Sequence, residues 1–423
     1  MRGLIRRAAP LFLLALAACA GANMAVPPPN LYPDAGSYPA DEVAPALRTP
    51  EATIYYVTDR ARAEGSDAPR YTSRRSSAMA FGRSVVRFGR DASWTDLAAA
   101  STQTGGGTLP LETLSVVEDI RFAPTPLPFE VRDGQPIMLP QAQATYADQS
   151  AAFRAAIARA VAERERGEVT IYIHGVRTGF EDARTTLATI WHYAGRNGVP
   201  LLYSWPAENG GLFGYFRDRE SGAFTIFHLK ETLRMLAETP GVERVNIIAH
   251  SYGTEVATRA LRELVIAERA AGRVPRESLG LGTLILAAPD LDFGIMQQRL
   301  VAEMFGPAFE QINVYVNPGD GPLRLAQVLL SGTRFGRITP DDLTDSLRET
   351  FSRIGNVHFI NVEEVRPALG HAYFRNNPSV VSDIVLALRT GEAPGTSARP
   401  MEQRDVNFWS LHGVYPLPPG SEG

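Results

Sequence analysis

The sequence of 423 residues contains a single cysteine and a single lysine. Because Cys19 is the only thiol, no disulfide can form within the chain. Arginine supplies nearly all of the basic charge and the formal net charge is −4, without the dense basic patch that nucleic-acid binding requires. The seven histidines are scattered along the chain, so we expect neither a metal site nor another cofactor.

The N-terminus has an apolar run over residues 8–18 that is too short to span a bilayer permanently. It follows a basic segment that contains Arg2, Arg6 and Arg7. A basic segment followed by a short apolar run is typical of a secretory signal peptide. We therefore interpret this region as a targeting segment that is separate from the folded part of the protein.

The apolar run ends in Leu16-Ala17-Ala18-Cys19, which resembles the lipobox of bacterial lipoproteins. The resemblance implies a signal peptide over 1–18 and acylation of Cys19, and several acyl chains anchor a protein stably at a membrane surface. Ala20, not aspartate, follows the cysteine, which points to the outer membrane of a bacterial envelope, facing the periplasm. The alternative is that Cys19 is an ordinary small residue of a secretory signal.

The remaining sequence predicts an α/β fold with a mostly parallel central sheet flanked by helices and preceded by antiparallel strands. Proline- and alanine-rich residues 19–50 predict a flexible tether. Antiparallel strands are expected at 52–58, 84–88 and 114–122, and a helix at 148–166. Apolar runs then alternate with amphipathic segments, a pattern typical of parallel sheets. The runs are 169–173, 199–204, 244–249, 281–288, 311–316 and 356–362, and the helices lie near 180–195, 220–238, 253–270, 292–304, 321–331 and 372–389. We predict one domain over 51–390 and a loosely packed C-terminal tail over 391–423.

Residues 245–253 have the pattern of a nucleophile elbow, a tight turn between a strand and a helix that exposes a serine. The β-branched run Val-Asn-Ile-Ile is followed by Ala-His-Ser-Tyr-Gly and a helix-forming stretch. Small residues flank such a serine because larger side chains would clash in the turn. Ala249 stands where the usual pattern has glycine. The pattern predicts Ser251 as the nucleophile, and the alternative is an ordinary serine in a turn or helix cap.

A serine nucleophile needs a base, and the base needs a third group that orients it. In α/β hydrolases the acid and the histidine follow the serine, each at the carboxyl end of a strand. Asp320 follows the run at 311–316 and His371 follows the run at 356–362, so we predict these two residues as the acid and the base. The competing residues are Asp290, Asp292, which is also a candidate helix cap, and His412 in the C-terminal tail.

The oxyanion of an acyl-transfer intermediate needs two N–H donors that point to one place. The N–H of Tyr252, directly after Ser251, is one candidate. The second is the N–H of Val176, because the strand 169–173 ends in His174-Gly175 and glycine allows a close approach of the backbone. The alternative is that His-Gly forms a plain turn.

Several motifs together make the sequence resemble a bacterial family of uncharacterised α/β hydrolases related to esterases and lipases. The motifs are Tyr56-Val57-Thr58-Asp59-Arg60, Ile173-His174-Gly175-Val176, Tyr203-Ser204-Trp205-Pro206, Asp218-Arg219-Glu220-Ser221, Ala249-His250-Ser251-Tyr252-Gly253 and Ala287-Ala288-Pro289-Asp290. The resemblance implies an esterase-like fold and triad without a defined substrate.

We therefore predict a lipid-anchored serine hydrolase that cleaves a carboxylic ester. An acyltransferase with the same site and a non-catalytic envelope-binding lipoprotein remain as alternatives. Its partners would be an ester or acyl substrate and a membrane surface, not nucleic acid. The aromatic segment 206–224 is either a lip over the acyl site or a packed loop.

Overall fold

The structure, a computed structural model, describes residues 26–65, 68–105, 107, 109–210, 213–363 and 370–416. Within these residues, eleven strands form one sheet and two form a separate hairpin. The strands are β1 Glu51–Arg62, β2 Tyr71–Phe88, β3 Leu111–Arg121, β4 Phe129–Arg132, β5 Gln135–Met138, β6 Glu168–Ile173, β7 Val199–Ser204, β8 Arg244–His250, β9 Leu281–Ala287, β10 Gln311–Val316, β11 Val357–Val362, β12 Glu402–Asp405 and β13 Phe408–Leu411. The order in the large sheet is β12-β13-β11-β10-β9-β8-β6-β7-β1-β2-β3.

The described helices flank this sheet. They are α1 Trp94–Ala100, α2 Pro140–Ala162, α3 Phe180–Tyr193, α4 Gly214–Ala237, α5 Gly253–Ala270, α6 Pro275–Ser278, α7 Phe293–Met296, α8 Gly321–Leu330, α9 Asp345–Ile354, α10 Tyr373–Asn376 and α11 Pro378–Thr390. A single π turn, Gln297–Val301, continues α7.

The central strands are buried on both faces, which explains their continuous apolar character. Side chains of one strand alternate between two cores. In β8, Ile247 packs into the core that contains Leu233 of α4 and Leu261 of α5. Its neighbour Ile248 packs into the opposite core with helices α3 and α11. The predicted α/β fold, a mostly parallel sheet with antiparallel N-terminal strands, is confirmed.

The segment before β1 differs from the predicted tether. From Val26 onward the chain packs against the domain, with Val26, Tyr32 and Tyr38 buried beside α3. The Tyr32 hydroxyl donates to the carbonyl of Tyr193, and the Tyr193 hydroxyl donates to the carbonyl of Val26. A few large side chains therefore order a segment whose average composition is that of a linker. Residues 19–25 of the predicted tether lie outside the described residues.

The segment after α11 also differs from the predicted loose tail. Strand β13 pairs in parallel with β11, and β12 pairs antiparallel with β13, so the sheet continues past the predicted domain end at residue 390. Phe408 and Tyr415 are buried, and the Tyr415 hydroxyl donates to Asp383 in α11. The predicted helix near 292–304 is shorter than expected because its second part is the π turn. The β4–β5 hairpin and α9 have no counterpart among the predicted elements.

Candidate active site

Ser251 lies on a tight turn between β8 and α5, at the carboxyl edge of the sheet. Its φ angle of 55° is in the left-handed region, as expected for the strained turn that presents a nucleophile. Gly253 is required two positions later, because a Cβ there would lie 2.4 Å from the His174 carbonyl oxygen. Ala249 is fully buried in the core beneath the turn, where its methyl group is accommodated.

Three side chains that are far apart in the sequence form one hydrogen-bonded chain at this edge. The Nε2 atom of His371 lies 2.7 Å from Ser251 Oγ, and its Nδ1 lies 2.8 Å from Asp320 Oδ2. Since a carboxylate only accepts, Nδ1 carries the proton and Nε2 accepts from the serine hydroxyl. The relative exposures of Ser251, His371 and Asp320 are 2, 3 and 0 %. The arrangement allows Ser251 to lose its proton to His371.

The competing candidates occupy other positions. The side chain of Asp292 caps α7 by accepting from the Ile295 N–H at 2.9 Å. His412 contacts the ring of Tyr415 in the C-terminal segment, and its buried Nδ1 has no hydrogen-bond partner among the described residues. Asp290 accepts from the Tyr215 hydroxyl at 2.7 Å. The contact with His371 Nδ1 is made by Asp320, whose other oxygen caps α8 through the Leu323 N–H.

The electrostatic environment of His371 favours its protonated form. Burial acts to lower the pKa of His371, but the charge of Asp320, the hydrogen bond to Asp320 and the charge of Asp290 outweigh burial. The pKa of the imidazole is therefore raised above its ordinary value. A base of this kind accepts a proton readily and is stabilised while it carries that proton.

His250, the residue before the serine, contacts the loop that carries His371. Its Nε2 donates to the carbonyl oxygen of His371 at 3.1 Å, and its ring stacks on Phe374 at 4.2 Å. Burial, followed by the neighbouring charge of His371, lowers the pKa of His250 well below the ordinary value. His250 is thus a neutral donor that fixes the backbone at His371.

The loop after β6 also lies against Ser251. A Cβ on Gly175 would lie 2.8 Å from Ser251 Cβ, so glycine is needed for this approach. No hydrogen bond joins the backbone N–H of Val176 or Tyr252 to an acceptor in the described part of the chain. Both N–H groups are therefore available to a ligand beside Ser251.

Two buried charged residues hold this loop in place. Asp218 of α4 accepts from the Arg177 N–H at 2.7 Å, where Arg177 has a φ angle of 57°. Asp218 also binds the backbone and side chain of Asn209, at 3.0 and 2.7 Å. The fully buried Arg60 of β1 donates to the Thr178 carbonyl at 2.7 Å. The backbone that directly follows Val176 is thus held by side chains of two different elements.

His174 of the same loop is fully buried next to Arg60 and Ser204. Burial and the charge of Arg60 lower the pKa of His174 to about 3, so the ring is neutral. Its Nδ1 donates to the Gly175 carbonyl at 2.9 Å. Sequence reasoning assigned no role to Arg60, Asp218 or His250, although all three lie in the motifs that carry the family resemblance.

The first turn of α4 contacts the loop that follows β9. Tyr215 is buried and reaches Asp290, whose N–H donates to the Ser251 carbonyl at 3.3 Å. Phe213 and Phe216 point to solvent, with exposures of 64 and 44 %. The described part of the aromatic segment 206–224 therefore includes the buried Tyr215, which binds Asp290, and the exposed Phe213 and Phe216, while residues 211 and 212 lie outside the described residues.

The remaining sequence predictions concern residues or properties that the site geometry does not address. Cys19 and the signal segment 1–18 lie outside the described residues. No helix in the described ranges is long and apolar enough to cross a membrane. In the same ranges, no group of three or more histidine, cysteine, aspartate or glutamate side chains is placed to hold a metal ion.

A mostly parallel sheet with helices on both faces and a serine on a tight turn after a central strand defines the class of α/β hydrolases. Residues 149–389, more than half of the chain, match the family described as alpha/beta hydrolase of unknown function (DUF900), and the chain belongs to that family. Neither a curated protein nor a solved structure matches the chain. The family supports a hydrolytic role and leaves the substrate open.

Proposed function

We propose that the protein is a serine hydrolase that cleaves a carboxylic ester through an acyl-enzyme. The hydrogen-bonded chain from Ser251 through His371 to Asp320, with contacts of 2.7 and 2.8 Å, is the observation that carries this proposal. The position of Ser251 on the turn before α5 supports the assignment, because its Oγ then meets a substrate beside free N–H donors.

In the proposed reaction, Ser251 Oγ attacks the ester carbonyl carbon while His371 Nε2 takes the hydroxyl proton. Asp320 stabilises the imidazolium, and the N–H groups of Tyr252 and Val176 bind the oxyanion. The carbon–oxygen bond to the alcohol breaks, the alcohol takes the proton from His371, and an acyl-serine remains. A water molecule then attacks the acyl-serine with His371 as base, which releases the acid and restores the serine hydroxyl.

The test combines a fluorophosphonate probe with aryl esters of graded chain length. Wild-type protein should be labelled and should release free acid, whereas Ser251→Ala should do neither. Thr258→Ala serves as a matched control, because this buried hydroxyl lies on the same helix α5 and donates to the Thr254 carbonyl, not to the serine turn. Labelling or turnover that persists in Ser251→Ala would overturn the proposal. An acyl product formed with an added alcohol, in place of free acid, would identify an acyltransferase.

We also propose that the protein is a lipoprotein anchored through Cys19 at the periplasmic face of a bacterial outer membrane. The lipobox-like Leu16-Ala17-Ala18-Cys19 and the following Ala20 support this proposed location. Two or more acyl chains give stable anchoring without a membrane-spanning helix.

A further inference from the structure

Arg219 of α4 contacts the side chain of the residue that follows the proposed nucleophile. Its Cζ is 4.6 Å from the ring centroid of Tyr252, the residue that follows Ser251, and 5.6 Å from the ring centroid of Tyr215. Its Nη1 donates to the Tyr215 hydroxyl at 3.2 Å. Contacts with two aromatic rings hold a guanidinium in a defined position.

The charge of Arg219 is not matched by a carboxylate. Arg219 forms no ion pair within the described ranges, and the Tyr215 hydroxyl is the acceptor found for its side chain there. A guanidinium has five N–H donors, so most of its hydrogen-bonding capacity is available. This contrasts with the buried Arg399, which binds Asp383 through two nitrogens at 2.9 and 2.8 Å.

Arg219 is linked to Asp290 through the Tyr215 hydroxyl, but this carboxylate already has two partners of its own. Its Oδ2 accepts from Tyr215, and its Oδ1 lies 3.6 Å from Nη1 of the buried Arg334. Asp290 thus pairs directly with Arg334 and meets Arg219 only through the Tyr215 hydroxyl, so Arg219 keeps a charge that no carboxylate contacts within the described ranges. Since a partly desolvated charge without a partner is costly, a bound anion would stabilise this part of the site.

We infer that the substrate is an ester that carries a carboxylate or phosphate group and that Arg219 binds this anionic group. The inference rests on the proposed serine hydrolase and adds the substrate class. A planar guanidinium matches carboxylate and phosphate oxygens in a bidentate geometry. The nearby Ser251 would then meet the ester carbonyl of the same molecule.

Matched ester pairs test the inference and separate the two anions. 4-Nitrophenyl hemiglutarate is compared with 4-nitrophenyl valerate for a carboxylate on the acyl side. 4-Phosphonooxyphenyl butyrate is compared with 4-methoxyphenyl butyrate for a phosphate on the alcohol side. Wild-type protein should prefer the anionic member of at least one pair, and Arg219→Gln should lose about 10- to 100-fold in kcat/KM on that member alone.

Arg217→Gln is the matched control, because Arg217 lies on the same helix, is exposed and makes no ring contact with Tyr252. This variant should keep the preference of the wild-type protein. Equal turnover of both members of each pair by wild type would overturn the inference while the proposed ester hydrolysis stands. An equal loss on anionic and neutral esters in Arg219→Gln would also overturn it.

A binding measurement decides the matter independently of turnover. Ser251→Ala, with and without Arg219→Gln, is titrated with monomethyl glutarate, phenyl phosphate and methyl butyrate in a calorimeter. At least one of the two anions should bind at least about 10-fold more tightly when Arg219 is present, and methyl butyrate should not distinguish the two proteins. If no ester is cleaved, the proposed function fails, and this titration alone supports or overturns the anion site.

Discussion

The backbone N–H of Arg177 donates to the carboxylate of Asp218 at 2.7 Å and so ties the loop after β6 to helix α4. Val176, whose N–H is a proposed oxyanion donor, directly precedes Arg177. Because the left-handed backbone of Arg177 is strained, the fixed acceptor of its N–H stabilises this shape of the loop. The two residues link the position of α4 to the proposed oxyanion site.

Asp218→Ala should therefore impair ester turnover although Asp218 does not touch the reacting atoms. Loss of one oxyanion donor costs about 10²–10³-fold in kcat, and we expect a decrease of this order or smaller. KM should change less than kcat, because the donor acts mainly on the transition state. Steady-state kinetics, which give kcat and KM separately, check this prediction. Glu220→Ala on the exposed side of α4 is the control, and an unchanged kcat in a folded Asp218→Ala protein would contradict the prediction.

Asp320→Asn should be far more harmful than Asp292→Asn. An amide at position 320 no longer favours the tautomer in which His371 Nε2 accepts from Ser251, and the corresponding change in a serine protease costs about 10⁴-fold. Asp292 caps α7 through Oδ1, an acceptor that asparagine keeps, so Asp292→Asn should leave both the stability and kcat nearly unchanged. Kinetics and thermal unfolding of both variants provide the check. A reversed ranking in two folded proteins would assign the acid to the loop after β9.

The acid limb of the pH–rate profile should lie above the ordinary histidine pKa. His371 must be neutral to take the serine proton, and its raised pKa moves the rise in kcat/KM to higher pH. The negative charge of Asp290 stabilises the imidazolium and contributes to this increase. Asp290→Asn removes that charge, lowers the pKa of His371 and should move the limb to lower pH.

The profile of kcat/KM from pH 5 to 9 measures both effects on one ester. Asp292→Asn is the matched control, since Asp292 is not among the causes that raise the pKa of His371. A limb that stays in place in Asp290→Asn, or moves to higher pH, would show that Asp290 does not stabilise the imidazolium.

The fold was predictable because the central strands are apolar on both faces. β6 and β10 are mostly apolar in sequence and buried along their whole length, and each is followed by an amphipathic helix. The ends of the domain were not predictable from composition. Proline-rich residues around Val26 resemble a linker, yet a hydrogen bond from the Tyr193 hydroxyl fastens them to α3. Such packing depends on contacts between positions 167 residues apart.

The candidate site, like the fold, was predictable from the sequence only in part. The order of Ser251, Asp320 and His371 along the chain follows from strand positions alone, and the structure brings these three side chains together. The supporting contacts of Asp218 and His250 could not be derived, since each joins a side chain to a backbone group on another element. A motif indicates that such residues matter, but only the folded arrangement shows what they bind.

The last prediction concerns the location of the protein at a membrane. Six residues separate Cys19 from Val26, where the packed part of the chain begins, so these two residues lie at most about 25 Å apart. A lipid at Cys19 would thus hold the hydrolase domain close to the bilayer, closer than a tether over 19–50 would. Cys19→Ser should lose lipid labelling and membrane association. Ester turnover should be retained, because the residues of the candidate site are unchanged.

Mass spectrometry of the mature N-terminus, with membrane fractionation, checks this prediction in wild type and Cys19→Ser. The Cys19→Ser protein is assayed after removal of its signal segment, so that its ester turnover can be compared directly with that of wild type. An acylated peptide that begins at Cys19 supports the lipoprotein assignment. An unmodified peptide that begins downstream of Cys19 would identify a secreted enzyme, and the proposed membrane location would be wrong while the hydrolase proposal stands.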